Sequence, residues 1–241
     1  MEKIQAIVIK SSNRKEKDKN ILLFSIENGK IWATLKGVKG ENAKMKLAQS
    51  PFCFAEFILE DGKMGKIVTG LDVVETFHEL SEDVDKYFEG SAVLEVINAF
   101  DFSSEQERAS VFVLMLKTLK TICFSNARPL YALNKFFLEL FKMSGVPLYV
   151  DKCSCCGSKS FEKLYMNYLV GQLECISCKS LTSEELSKVV LSALKLIDTT
   201  EFERLNTLKL AADSELSLLK VLVKNFEARF EKRLNLIGIL K

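Results

Sequence analysis

Histidine is almost missing from this chain: His78 is the only one in 241 residues. A zinc deaminase would need an H-x-E and a P-C-x-x-C segment, and neither is present. His78 lies in Thr76-Phe77-His78-Glu79, far in sequence from the cysteines discussed below, and reads as an ordinary side chain. Proline is scarce too: three residues, with no low-complexity tract and no internal repeat, leave no obvious flexible linker. The eleven glycines are scattered singly, so no glycine-rich loop is available to cradle phosphates. No nucleophile–base pair or paired-carboxylate site is recognisable, and nothing in the sequence asks for an enzyme. No apolar run approaches the roughly 18 residues of a membrane span, so no membrane association is expected. Met1-Glu2-Lys3 and the short apolar stretch broken by Gln5 do not read as a secretory signal, which implies a reducing, cytoplasmic setting.

Cysteine, by contrast, is patterned. Cys153-Ser154-Cys155-Cys156-Gly157 is followed, after eighteen intervening residues, by Cys175-Ile176-Ser177-Cys178. Two residues between paired cysteines let one tight turn present both sulfurs to one ion, and this is a four-thiolate zinc spacing. Cys153, Cys156, Cys175 and Cys178 are the expected ligands, because Cys155 would leave Cys153 only one residue away. Gly157 directly after the first pair suits the sharp turn required there. Four protein ligands leave no open position for water or substrate, so a single structural Zn2+ is expected. Two disulfides or buried thiols are the alternative, and the absence of an export signal argues against the disulfides. Cys53 and Cys123, set among apolar neighbours, read as small core residues.

An apolar fraction of 48% suffices for a sizeable core. The net charge is only +2, but it is unevenly distributed. Between Lys10 and Lys46 ten basic residues face four acids, whereas from Leu47 to Leu80 two lysines face six acids. Gathering positive charge on one segment is the footprint of a phosphate-binding surface. The plainer alternative is a set of lysines decorating solvated loops.

The first 76 residues read as β structure: Ile4–Ile9, Asn20–Ile26, Ile31–Leu35, Phe52–Leu59 and Lys66–Val74, with Asn28-Gly29 as a hairpin turn. Five short strands in this length suit an OB-fold barrel, with a long basic loop over Lys36–Lys46. Trp32 on the third strand could be a base-stacking platform, but flanked by Ile31 and Ala33 it is read as core. After Glu75 the spacing becomes helical: Asp83–Phe100, Ser104–Ile122 with its capping box, Arg128–Ser144 stopped by Gly145 and Pro147, a restart at the capping box Thr182-Ser183-Glu184-Glu185, and Asp213–Leu234. The expected fold is α+β: an OB-fold barrel at residues 1–78 and an all-helical domain at 79–241 carrying the zinc insert at about 150–181.

This order of elements resembles the RecO family of bacterial recombination mediators in DNA repair. The residues that carry the likeness are Ile4–Lys10 with Glu16-Lys17-Asp18, the hairpin Ser25-Ile26-Glu27-Asn28-Gly29-Lys30, Lys36-Gly37-Val38-Lys39, Gln49-Ser50-Pro51-Phe52, Phe136–Leu140, Ser144-Gly145-Val146-Pro147-Leu148 and Asp151-Lys152-Cys153. The chain departs from the pattern at Lys15, where a glycine is usual, in the diluted loop Gly40-Glu41-Asn42-Ala43, and at Gly238-Ile239-Leu240-Lys241, where the family commonly has a longer basic tail. The resemblance implies a non-enzymatic, cytoplasmic, nucleoid-associated protein. Such a protein binds single- and double-stranded DNA, anneals complementary strands, works with RecR, engages single-stranded DNA-binding protein and helps to load RecA. In those terms Arg14, Lys15, Lys17, Lys19, Lys36, Lys39, Lys44 and Lys46 are the expected DNA contacts. Arg128, Lys135 and Lys142 are candidates for receiving the acidic, apolar-ended tail of single-stranded DNA-binding protein. Two other classes compete: a zinc-ribbon factor of transcription or translation, which would need a more basic ribbon, and an enzyme with a structural zinc staple.

Overall fold

Alternation along the first 75 residues closes into a barrel. Strands β1 (Glu2–Asn13), β2 (Lys19–Ser25), β3 (Gly29–Leu35), β4 (Phe54–Gly62) and β5 (Gly65–Glu75) form it in the order β1-β2-β3-β5-β4, with helix α1 (Ala43–Leu47) between β3 and β4. The computed structural model describes residues 1–14, 18–38, 43–211 and 213–236. All barrel pairings are antiparallel except β3 with β5. Ile4, Ala6, Val8, Ile21, Leu23 and Phe57 fill the interior as their own cluster. β1 changes register between Val8 and Lys10, a bulge of the kind that bends a strand around a small barrel.

The barrel's outer face is not free. Ile7, Ile9, Leu22 and Phe24 belong to the core of the helical domain, so β1 and β2 are buried on both sides. That domain comprises α2 (Val84–Ala99), α3 (Glu105–Phe124), α4 (Pro129–Met143), α5 (Lys188–Thr199) and α6 (Ser214–Phe230). Short 3-10 turns at His78–Ser81 and Phe202–Thr207 accompany them. The helices start where short polar side chains can cap them: Asp83 accepts from the Lys86 amide, Ser104 from Glu107 and Ser187 from Val189. Pro51-Phe52 has a specific job at the junction. Phe52 adopts φ 73°, which turns its ring out of the barrel and into the helical core, while Cys53 points back into the barrel. The ring is accepted because α2 carries Gly90 there, where a Cβ would come within 3.2 Å of the ring.

Two local expectations are corrected. Thr182-Ser183-Glu184-Glu185 does not open a helix. Ser183–Leu186 is a strand, β8, paired with β6 (Leu164–Asn167), which pairs in turn with β7 (Gln172–Cys175). The Ser183 hydroxyl bonds the Glu174 carboxylate at 2.5 Å instead of capping a helix, and α5 begins only at Lys188. Trp32 is not core: it is 53% exposed, because the inward positions of β3 are taken by Ile31, Ala33 and Leu35. On α2 the apolar residues of the first turns, Val84, Tyr87 and Phe88, stay exposed, and the buried face begins at Glu89. Among the described residues no helix is long and apolar enough to cross a membrane.

Candidate nucleic-acid interface and metal centre

Lys19 pairs with Asn13 and Leu35 where β2 enters the barrel, so the end of β1, the start of β2 and the end of β3 converge on one side. There a cleft of about 410 Å³ is lined by Arg14, Asp18, Thr34, Lys36, Lys63 and Ile67. Arg14 donates to the Thr34 hydroxyl and to the sulfur of Met64, which fixes its guanidinium over the cleft floor. Asp18 makes no ion pair with it among the described residues: the Arg14 amide bonds the Asp18 carbonyl, and the Asp18 carboxylate accepts from the Gly37 amide at 3.1 Å, so the cleft lining sets Arg14, Lys36 and Lys63 against one carboxylate. Lys36 is exposed at the rim, and Lys46 is exposed at the end of α1. Among the described residues none of Arg14, Lys36, Lys46 and Lys63 makes an ion pair. Lys3 and Lys66 behave differently. Lys3 pairs with Glu56, and Lys66 with Glu2 and Asp61, each at 3.0 Å. Among the described residues the cleft lining therefore carries cations without ion-pair partners, whereas Lys3 and Lys66 are compensated. Lys15, Lys17, Lys39 and the Lys44 side chain lie outside the described residues. Lys63 was not foreseen because it belongs to an acid-rich stretch of sequence; only the β4–β5 hairpin brings it beside Arg14.

The metal centre is built by two turns on the small sheet. Cys153, Cys156, Cys175 and Cys178 place their sulfurs within 4.8 Å of one another, and Cys155 is outside the group. The Cys156 and Cys175 sulfurs are 3.8 Å apart. That is the edge of a tetrahedron with metal–sulfur bonds of about 2.3 Å. Gly157, at φ 74°, closes the first turn with its amide on the Cys153 carbonyl, and the Cys178 amide bonds the Cys175 carbonyl at 3.0 Å. Burial pushes the Cys153 thiol up, but backbone amides of Cys156, Cys175 and Cys155 outweigh it and bring the pKa to about 6. A thiolate is therefore already favoured at the buried corner of the site, and the donor set fits a metal ion. Glu174 ties down the chain beyond Cys178, accepting from the Ser180 amide, the Ser183 hydroxyl and the Asn167 side chain.

The α4 cations are engaged internally. Arg128 pairs with Glu215. Lys135 is buried, 2.8 Å from both the Asp198 carbonyl and Glu139, and Lys142 bridges Glu139 and Asp198. A separate groove runs between α3 and the Phe202–Thr207 turn, with Val113, Leu116, Phe124 and Phe202 as its apolar lining and Lys117 and Lys120 at its edge. His78 is exposed, 3.5 Å from Glu82, and remote from both sites.

Two family models match the chain. The one described as Recombination protein O N terminal covers residues 1–77, and the one described as Recombination protein O C terminal covers residues 81–236. Curated relatives align over nearly the whole length. The DNA repair protein RecO of Acetivibrio thermocellus is 26% identical over 99% of this chain and 96% of its own. That of Desulforamulus reducens is 28% identical over 96% and 91%, and that of Clostridium kluyveri 27% over 99% and 93%.

Proposed function

The chain belongs to the RecO family, and from that premise we propose that it is a non-enzymatic mediator of recombinational DNA repair. In this reading it binds single- and double-stranded DNA through the barrel, residues 1–78, anneals complementary strands, and works with RecR to help load RecA onto DNA covered by single-stranded DNA-binding protein. The observation that carries the reading is the cleft holding Arg14, Lys36 and Lys63 without ion-pair partners among the described residues. Cations left uncompensated on one face neutralise phosphates and release counterions, which gives sequence-tolerant, salt-sensitive affinity. Annealing needs no chemistry at such a face, since two polyanions held there repel one another less. Lys19 and Lys46 are further proposed contacts, as are Lys15, Lys17, Lys39 and Lys44, whose side chains lie outside the described residues. In this reading the metal is zinc, as the C-x₂-C spacing suggests, and its role is structural, since four thiolates close the coordination sphere. For the acidic, apolar-ended tail of single-stranded DNA-binding protein we favour the α3 groove over α4: Arg128, Lys135 and Lys142 are paired with acids, and although Glu203 of the groove pairs with Lys117, Phe124 and Lys120 face solvent.

Fluorescence anisotropy of a labelled oligonucleotide across a salt series tests the DNA surface. Single-strand binding should weaken with a log–log slope of about −0.7 per contacted phosphate. Lys36→Ala with Lys63→Ala should lower the affinity and flatten the slope by roughly 1.4. Unchanged affinity and slope would place the site elsewhere. In the same assay a labelled acidic peptide ending in an apolar residue should bind, and Phe124→Ala with Lys120→Glu should abolish its binding while leaving the oligonucleotide unaffected.

A further inference from the structure

Trp32 is the only tryptophan of the chain, and the fold leaves more than half of it in solvent. Its surroundings on the outer face of the barrel are specific. β-sheet register places Lys10, Leu22 and Trp32 in one row across β1, β2 and β3. Leu22 is buried in the middle of that row, and Lys10 is exposed at its end. On the other side the β3–β5 ladder begins only at Ala33 with Lys66, so β5 presents Gly65 as it approaches Trp32. A side chain at Gly65 would meet nothing within 4 Å. Among the described residues no ring or cation stacks on the indole and no acceptor takes its N–H. One same-face step along β3, about 7 Å at the usual rise per residue, lies Thr34. Thr34 is the floor of the cationic cleft and the partner of Arg14.

A broad, unpartnered π surface beside uncompensated cations combines the two components of single-strand recognition: charge for the backbone and a platform for a base. A duplex offers its phosphates to the cleft but keeps its base faces covered by stacking, so the indole can reward only the unpaired strand. We propose that Trp32 stacks on an unpaired base and gives the barrel face its preference for single-stranded over double-stranded DNA. This rests on the barrel being the DNA-binding surface, and the experiment separates the two ideas.

Because there is one tryptophan, emission excited at the red edge, where the five tyrosines do not absorb, reports this position alone. The full-length, metal-loaded protein is titrated with labelled oligo-dT, and anisotropy and tryptophan emission are read together. Emission should fall in step with anisotropy for oligo-dT. It should fall much less for a duplex at matched saturation, and not at all for an abasic oligonucleotide of equal charge. Trp32→Ala should weaken single-strand binding roughly 10-fold, within the range of base–aromatic stacking, and duplex binding less than about 2-fold. Trp32→Phe should recover most of the loss. Being exposed, the position should tolerate these changes without loss of thermal stability. Anisotropy that rises without quenching, quenching by the abasic strand to the same extent, or a single-strand to duplex ratio unchanged in Trp32→Ala would overturn the stacking role and leave the cationic surface standing. No change in either signal at low salt would overturn both.

Discussion

Glu89 shows how far one side chain can depart from its sequence context. It sits on α2 among acids, Asp83 and Asp85, and an exposed carboxylate would be unremarked there. The helix instead turns it inward beside Gly90, and Oε2 finds no hydrogen-bond partner. Burial first, then the charges of Asp85 and Asp83, push its pKa up from 4.5 to about 8. The sign of the linkage follows. Between those two values the folded protein keeps a proton that the unfolded chain has released, so stability falls as pH rises through the window. It falls at up to about 1.4 kcal/mol per pH unit. Glu89→Gln, which stays neutral at nearly the same shape, should remove that slope and raise the melting temperature at pH 8 relative to the parent. Thermal unfolding of both proteins at pH 5, 6.5 and 8 measures it, and parallel curves would show that Glu89 is not the group responsible. The same blindness to local placement hid Lys135, a buried lysine in the middle of α4, and Trp32, whose apolar neighbours suggested burial. In each case strand or helix phase, and not residue type, decides which way the side chain faces.

At the scale of the element, the cysteine insert is a small sheet fastened to the helices. Leu164, Met166, Leu173 and Leu186 from β6, β7 and β8 join the main hydrophobic cluster. Tyr149 bridges to Gln172, and Arg229 of α6 donates to the Val146 carbonyl with its guanidinium 5.3 Å from the Phe141 ring centre. Strands of four residues cannot hold such a sheet in place alone, so a metal bound by the four cysteines would act together with this packing. On the proposed zinc reading, stripping the metal with a chelator, or Cys175→Ser, should release about one zinc ion per chain and lower the melting temperature by about 2–4 °C for each kcal/mol lost. The barrel has its own interior cluster, so oligonucleotide affinity at 25 °C should stay within about 2-fold; metal removal that leaves melting unchanged would deny the coupling. The ligands of this centre were legible because C-x₂-C spacing is a local property of the chain. So were the barrel strands and the capped starts of α2 and α3. The nature of β8 was not: Thr182 and Glu185 satisfy a helix-start pattern, and only pairing of Ser183–Leu186 with β6, eighteen or so residues earlier, makes the segment a strand. Lys63 was likewise invisible, since cleft membership comes from a hairpin folding back onto Arg14.

For the whole molecule the decisive interface is the one between barrel and helices. The Asn28-Gly29 hairpin is held from two sides. Lys30 donates to the Asn98 and Phe100 carbonyls at 2.8 Å, at the C-terminal end of α2 where a cation is favoured. Arg108 of α3 donates to the Ile26 and Glu27 carbonyls. Between them Phe24 packs on Phe102 at 4.9 Å and on Phe112 at 5.5 Å. Burial lowers the pKa of Lys30 against the opposing pull of Asp101, as expected of a cation withdrawn from water into a joint. A seam with buried aromatics and paired polar anchors should make the two halves unfold as one. The chain supplies separate reporters for each half: Trp32 emission for the barrel, and circular dichroism for the helices. In the parent protein the two denaturation curves should coincide, as two-state unfolding requires. Phe24→Ala removes about 3–5 kcal/mol from the seam, and Arg108→Ala unlatches the hairpin without touching either interior. Combined, they should split the curves, with the barrel signal moving to lower denaturant first. Curves that already diverge in the parent would mean that the barrel is only lightly docked, and that its cationic cleft is free to reorient against the helical domain.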